Sequence, residues 1–242
     1  MIRIVVEPSQ IQGHECMLTP PQQHYLFRVM RVRPGQLVEA LVSGARLYEC
    51  KVEPDSQTLT IQNVDEVHVP IAITLAQALI KRDLFAQIVE KGTEAGISRF
   101  IPVVSERSIV RDVSPAKQQR WQIIAQEATE QSRQTRVPQI EPVTSFKALP
   151  TMPGHVKCVL HPEGPNILEW LLEERPHGSE WMLVAGPEGG LSDSEVAMLQ
   201  EAQYVAVSLG PFIYRAENAG VIAAGILTAW ASSRLSSVGD LF

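Results

Sequence analysis

Residues 183–196 read LVAGPEGGLSDSEV: an apolar run, a Gly-Pro-Glu-Gly-Gly turn, and a helix start. Glycine-rich turns between a strand and a helix usually hold phosphate, because backbone N–H groups converge there in a positive field. This turn departs from that pattern. It is not Gly-x-Gly-x-x-Gly, no Lys-Ser/Thr follows it, and Pro187 brings no donor. The carboxylate of Glu188 opposes an incoming anion, so the turn suits a neutral or cationic ligand without phosphate. Ser192 and Glu195 form a Ser-x-x-Glu capping box, which occupies free N–H groups of the following helix. The alternative is a capped glycine turn that binds nothing.

The flanking rhythm sets the fold class as α/β. IAITLAQALI (71–80) is a continuous apolar run, as expected for a strand buried on both faces. DLFAQIVEKGTEAG (83–96) then puts Leu84, Phe85, Ile88 and Val89 on one helical face. FIPVVS, VKCVLH, WMLVAG and YVAVSLG read as further strands. PAKQQRWQIIAQEATEQSR, NILEWLLEE and SDSEVAMLQEA read as helices, the first with Trp121, Ile124, Ala125 and Ala128 facing inward. Strands alternating with helices of this length predict a parallel sheet covered on both faces.

The first seventy residues differ. IRIVV, QLVEALV, RLYECKVE and TLTIQNV are short β-rich runs broken by Pro-Gly at 34–35, Ser-Gly at 43–44 and Pro-Asp at 54–55. One helical candidate intervenes at 20–31, with Tyr25 and Val29, and Leu26 and Met30, at i, i+4. This predicts a small, partly closed β-barrel domain over 1–69, ending at VDEVHVP, and a larger domain over 70–242. The last helix, 217–233, is apolar nearly all round, with small Gly220, Ala223, Ala224 and Gly225 among large residues. It is either a central core helix or a subunit interface.

The totals exclude several classes. Of 242 residues, 45% are hydrophobic and 20% charged, which is ordinary for a soluble globular protein. A net charge of −6 argues against a chain that coats nucleic acid uniformly, although a local basic cluster still serves an RNA site. Cys16, Cys50 and Cys158 lie far apart, so neither a disulfide framework nor a metal site is expected. MIRIVVEPSQ lacks the features of a signal peptide, and no apolar run is long enough to span a bilayer. A cytoplasmic protein without membrane contact is the expectation.

In an open parallel sheet, ligands bind at the carboxyl ends of strands. Three strand ends here carry unusual residues: Leu160-His161-Pro162-Glu163-Gly164, Gly186-Pro187-Glu188-Gly189-Gly190, and Leu209-Gly210-Pro211-Phe212-Ile213-Tyr214-Arg215. Glu217 follows Arg215 closely. Together, AGPEGGLSDSEV (185–196) and VSLGPFIYRAENA (207–219) resemble the paired signature of the RsmE family, which methylates uridine N3 in 16S ribosomal RNA. KGTEAGISRFIPVVSERSIV (91–110), EATEQSRQTRVPQI (127–140) and HYLFRVMRVRPG (24–35) resemble further segments of that family, in the same order along nearly the whole chain.

The resemblance implies an N-terminal PUA-like β-barrel and a C-terminal SPOUT domain with a trefoil knot. Topology rules alone would argue against such a knot. It implies S-adenosylmethionine as methyl donor, a sulfonium cation without phosphate. The cofactor walls would be Leu160 and His161, Gly186, Pro187, Glu188, Gly189 and Gly190, then Leu209, Gly210 and Ile213. His161 reads equally well as a structural histidine. Arg215 is the candidate cation for the developing uracil anion, and Glu217 the group that accepts the N3 proton or orients Arg215. The substrate would be uridine 1498 of 16S rRNA, free or in the small ribosomal subunit, and the chain a homodimer through helix 217–233.

Gln22 to Gly35 contains Arg28, Arg31 and Arg33 and no acids, a local +3 in a negative chain. With Arg107 and Arg111, and Arg133 and Arg136, these are the RNA-binding candidates; a solvated basic face is the plain alternative. One departure from the family stands at Phe212, where its members commonly carry arginine. Phe212 stacks on a base or packs on its loop, and the lost cation leaves open a second class, a non-catalytic RNA-binding or assembly protein of the same fold. A nicotinamide or nucleotide enzyme is disfavoured because both phosphate fingerprints are missing.

Overall fold

A computed structural model describes residues 1–55, 57–67 and 71–239, the side chains of 235–239 excepted. The chain packs as two compact units, Met1–Val69 with Thr129–Val137, and Pro70–Ala128 with Pro138–Phe242. The exact boundary expected at 69/70 lies outside the described residues. The grouping of 129–137 with the first unit was not legible in the sequence.

The first unit contains β1 (Ile2–Val5), β2 (Ile11–Gln12), β3 (Glu15–Met17), α1 (Pro20–Gln23), β4 (Leu37–Val42), β5 (Arg46–Val52) and β6 (Thr58–Glu66). They form one six-stranded sheet in the order β1-β4-β5-β6-β3-β2. Strands β2 and β3, only two and three residues long, escaped the sequence reading because they are too short for alternation to register. Ile4, Cys16, Leu26, Val38, Ala40, Cys50, Val52 and Leu59 fill the core. The helical segment differs from the expected α-helix: after α1, His24–Val29 form a π-helical turn, with Met30 N–H bonded to the Tyr25 carbonyl at 2.9 Å. The wider turn breaks the i, i+4 pairing. Leu26 is buried, whereas Val29 and Met30 face solvent beside Arg28.

Segment 129–137 is fastened to this sheet by polar contacts. Buried Arg3 pairs with Glu39 at 2.9 Å and donates to the carbonyls of Arg133 and Gln134 at 2.7 and 3.0 Å. Glu130 accepts the Val5 N–H, and Ser43 accepts the Val137 N–H. Such long-range side-chain anchors leave no periodic trace in a sequence.

The second unit is a parallel sheet between helices. Its elements are β7 (Ala72–Ala78), α2 (Leu84–Glu94), β8 (Ile97–Val104), α3 (Pro115–Ser132, its last turn grouping with the first unit), β9 (Gln139–Ile140), β10 (Thr144–Ser145), β11 (Val156–Leu160), α4 (Ile167–Glu174), β12 (Glu180–Ala185), α5 (Asp193–Glu201), β13 (Val205–Val207) and α6 (Ala216–Gly239). The strand order is β10-β8-β7-β12-β11-β13 with β9 on β8, and every pairing is parallel. Neighbouring residues of β7 point to opposite faces. On one face Ala76 joins Ile101, Val103, Val184, Val196, Leu199 and Phe146 in a core under α5. On the other, Leu75 lies under Gly220 of α6. The chain therefore leaves β13 at the sheet's edge and returns across the carboxyl ends of the strands to start α6 over β7.

In α3, Trp121, Ala125 and Ala128 are buried as the periodicity predicts, and the Trp121 ring meets Phe85 with centroids 4.3 Å apart. Helix α6 is not a central core helix. Gly220, Ala223, Ala224, Leu227 and Ala231 are buried, and Thr228 Oγ1 donates to the Ala95 carbonyl at 2.8 Å. Val221, Ile222, Gly225, Ile226 and Trp230 remain only half-covered. No helix among the described residues is long and apolar enough to cross a membrane.

The three cysteines are free and buried. Burial pushes the thiols up, to about 11 for Cys16 and about 12 for Cys50 and Cys158. The reactive thiolate is therefore scarce at any pH below those values. Native protein at about pH 8 should react negligibly with an aromatic disulfide reagent, and all three thiols should titrate once the chain is denatured. Rapid native labelling would contradict this packing.

Candidate active site at the carboxyl edge of the sheet

Because the strands are parallel, the residues after β7, β8, β11, β12 and β13 emerge along one edge. Sequence order runs outward from β7 to β8 and then resumes on the other side with β11, so the edge near β7, β12 and β11 is the switch point where α/β sheets form a crevice.

The loops after β11 and β13 are joined to each other. His161 N–H donates to the Val207 carbonyl at 2.9 Å, Ser208 N–H to Pro165 and Ile167 N–H to Ser208, both at 2.8 Å. Gly164 makes this approach possible: a Cβ there would stand 2.7 Å from the Ala206 carbonyl and the Val207 nitrogen. His161 Nδ1 accepts the Glu163 N–H at 3.4 Å, so the ring has a local structural partner. Leu160, Leu209 and Gly210 are half-buried along this seam.

The loop 186–190 is held from several directions. Gly186 packs against its own loop, 3.1 Å from the Leu191 nitrogen to a Cβ position, and Gly190 N–H closes a turn onto the Pro187 carbonyl at 2.9 Å. Gln77, at the end of β7, donates to the Gly186 carbonyl at 3.1 Å. Glu188 Oε1 accepts the Lys81 N–H at 2.9 Å, so the carboxylate that puzzles in the sequence pins its loop to the turn after β7. Arg107 Nη1 donates to the carbonyls of Gly189 and Leu191 at 2.9 and 3.1 Å. The expected capping box forms, with Ser192 N–H on Glu195 Oε2 at 3.0 Å. Its glutamate also takes the Glu106 N–H on Oε1 at 2.8 Å.

Pro187 has no N–H, and the N–H groups of Gly190 and Ser192 are spent inside the loop. The outer faces of Gly189 and Gly190 meet only Arg107 within 4 Å. The glycines leave that face without side chains of its own, so another group can approach the backbone closely there.

The segment returning to α6 is the most exposed apolar stretch of this unit: Phe212 and Ile213 are 75% and 88% accessible. Arg215 caps α6, its carbonyl accepting the N–H groups of Asn218 and Ala219. Its guanidinium is 84% exposed, 4.0 Å from Glu217, whose side chain is 15% exposed. A charge pair that loose stabilises little and leaves the guanidinium in solvent.

The arginines fall into two groups. Arg28, Arg31, Arg33, Arg133 and Arg136 belong to the first unit and are exposed. Arg31 and Arg133 adopt positive φ, 54° and 58°. Arg107 and Arg111 belong to the second, where Arg107 grips the glycine loop and Arg111 donates to the Glu106 carbonyl at 3.3 Å. Sequence reasoning missed Gln77, Lys81 and the loop-holding role of Arg107. Only the unusual glutamine inside an apolar strand signalled any of them.

Comparison with known proteins identifies the architecture. A family profile described as RNA methyltransferase domain matches residues 67–228, and one described as RNA methyltransferase PUA domain matches 18–62. The chain is 32% identical to the ribosomal RNA small subunit methyltransferase E of Bacillus subtilis, covering 92% of this chain and 94% of that one. It is 34% identical to the same-named protein of Synechocystis, covering 91% and 75%. A crystal structure of the methyltransferase E of Neisseria gonorrhoeae bound to S-adenosyl methionine superposes with a TM-score of 0.83 at 27% identity, over 95% of this chain and 97% of that one. With a PUA domain, a parallel sheet of the SPOUT type and relatives aligned over nearly its whole length, the chain belongs to the RsmE family of RNA methyltransferases.

Proposed function

We propose that this protein transfers a methyl group from S-adenosylmethionine to N3 of a uridine in 16S ribosomal RNA, by family resemblance uridine 1498, within the small subunit. The observation that carries the reading is the convergence of the loops after β11, β12 and β13 on one edge of the parallel sheet. Leu160, His161, Gly186–Gly190, Leu209, Gly210 and Ile213 are the residues that would hold the cofactor. The residues fit it: the glycine faces, which carry no side chains of their own, suit the close approach of a planar base, and the carboxylate of Glu188 is a partner that a cation tolerates and a phosphate does not. The cofactor supplies an electrophilic methyl group.

The chain's own residues supply positioning and charge. Uracil N3 is a poor nucleophile until its proton leaves, and the resulting charge spreads onto the ring oxygens. Arg215, exposed and fixed through its backbone at the start of α6, stabilises that charge. Glu217 accepts the proton or holds Arg215 in place. Residues 1–69 bind RNA through Arg28, Arg31 and Arg33, assisted by Arg133 and Arg136, while 70–242 carry out transfer. The half-covered face of α6 supports a homodimer.

Arg215→Ala should lower methyl transfer to small subunits lacking the mark by about a hundredfold or more, with calorimetric affinity for S-adenosylmethionine nearly unchanged. Undiminished turnover would remove Arg215 from the mechanism. Cofactor binding by the unaltered chain without any transfer would instead favour the non-catalytic reading raised by Phe212. Replacing Arg28 by glutamine should weaken RNA binding and reduce the slope of log affinity against log salt by about 1; an unchanged slope would place it off the RNA. In sedimentation equilibrium, Ile226→Asp should shift a dimer of the parent chain towards monomer.

A further inference from the structure

We propose that Gln77 is a positioning residue for the cofactor, directing the Gly186 carbonyl and through it the course of loop 186–190. The proposal rests on the reading above that this loop holds S-adenosylmethionine.

Gln77 is next to last in β7 and 0% exposed. A buried amide costs free energy unless its polar atoms are bonded. Its Nε2 donates to the carbonyls of Gly186 at 3.1 Å and Ala78 at 3.2 Å. Two acceptors on one side fix the amide's orientation, because the flipped form would bring Oε1 against both oxygens. Its Oε1 has no partner among the described residues and lies 3.4 Å from where a Cβ on Gly220 would stand. A leucine or methionine would fill this space without leaving an acceptor unsatisfied. Neighbouring Leu75, Ala76 and Ala78 follow that apolar rule.

The donor explains the exception. Glycines 186, 189 and 190 have no side chains with which to hold their loop. Pro187 has a fixed φ, so the orientation of the Gly186–Pro187 peptide sets the path of the residues that follow. Gln77 holds the oxygen of that peptide. The side chain acts through the loop and need not touch the reacting atoms.

The test is calorimetry with S-adenosylmethionine on the full chain, comparing the parent with Gln77→Leu and Gln77→Glu from about pH 6 to about pH 9, beside steady-state kinetics on small subunits. Gln77→Leu lacks the donor and should bind the cofactor about tenfold more weakly, with RNA affinity unchanged. KM for the cofactor should rise while kcat at saturation is nearly kept. In Gln77→Glu a protonated carboxyl still donates to Gly186, whereas the ionised form sets a carboxylate against two carbonyl oxygens. Burial raises that carboxyl's pKa, so affinity relative to the parent should be near normal at low pH and fall as pH rises. A purely structural role would instead lower the melting temperature with pH and leave the affinity of the folded fraction unchanged, which thermal unfolding of the same samples distinguishes. A deficit in Gln77→Glu that is flat with pH, or Gln77→Leu binding within about twofold of the parent, overturns the proposal. Should Gln77→Leu fail to fold, the pH profile of Gln77→Glu decides. A parent chain that takes up no S-adenosylmethionine overturns the proposed function itself, and is recognised before any variant is compared.

Discussion

The site depends on holding a turn that cannot hold itself. Gly186-Pro187-Glu188-Gly189-Gly190 is short of side chains, and glycine loses more conformational freedom on ordering than any other residue. Four outside contacts oppose that loss: Gln77 on the Gly186 carbonyl, the Lys81 N–H on Glu188, and Arg107 on the carbonyls of Gly189 and Leu191. Each net hydrogen bond is worth about 1 kcal/mol, and somewhat more where a charge takes part. Together they are of the size needed to order several residues of a loop. The contacts come from the ends of β7 and β8, so the rigid sheet transmits its geometry to the flexible turn.

Polar groups that look functional in the sequence are partly absorbed by this task. Glu188 reads as a ligand-facing carboxylate, yet one of its oxygens is bonded to backbone. Arg107 reads as a phosphate contact, yet one nitrogen is committed to two carbonyls. Glu195 both caps α5 and takes the N–H of Glu106, so the segment 105–108 is tied to the start of α5. Arg215 differs, because its backbone is committed at the start of α6 while its guanidinium stays in solvent.

The return of the chain from β13 to α6 carries a comparable tension. It leaves Phe212 and Ile213 in water at considerable hydrophobic cost, beside a helix whose outer stripe of Val221, Ile222, Ile226 and Trp230 is also only half-covered. Exposed apolar surface next to a site generally marks contact with another molecule. The proposed dimer and the proposed RNA substrate both draw on this surface.

Local chemistry determined much by itself. The α/β alternation, the apolar strand 71–80, the inward face of α3 and the capping box at Ser192 all depend on residues close in sequence, whose periodicity or spacing is the physical cause of the structure. The three unusual strand ends were legible for the same reason. What tertiary structure alone decided lies at long range: the capture of 129–137 by Arg3 and Ser43, the return of α6 over β7, and the anchoring of Gly186 by Gln77 across more than a hundred residues. A hydrogen bond between distant segments imposes no period on either one. Its partners become visible only when the sheet has brought them to the same edge.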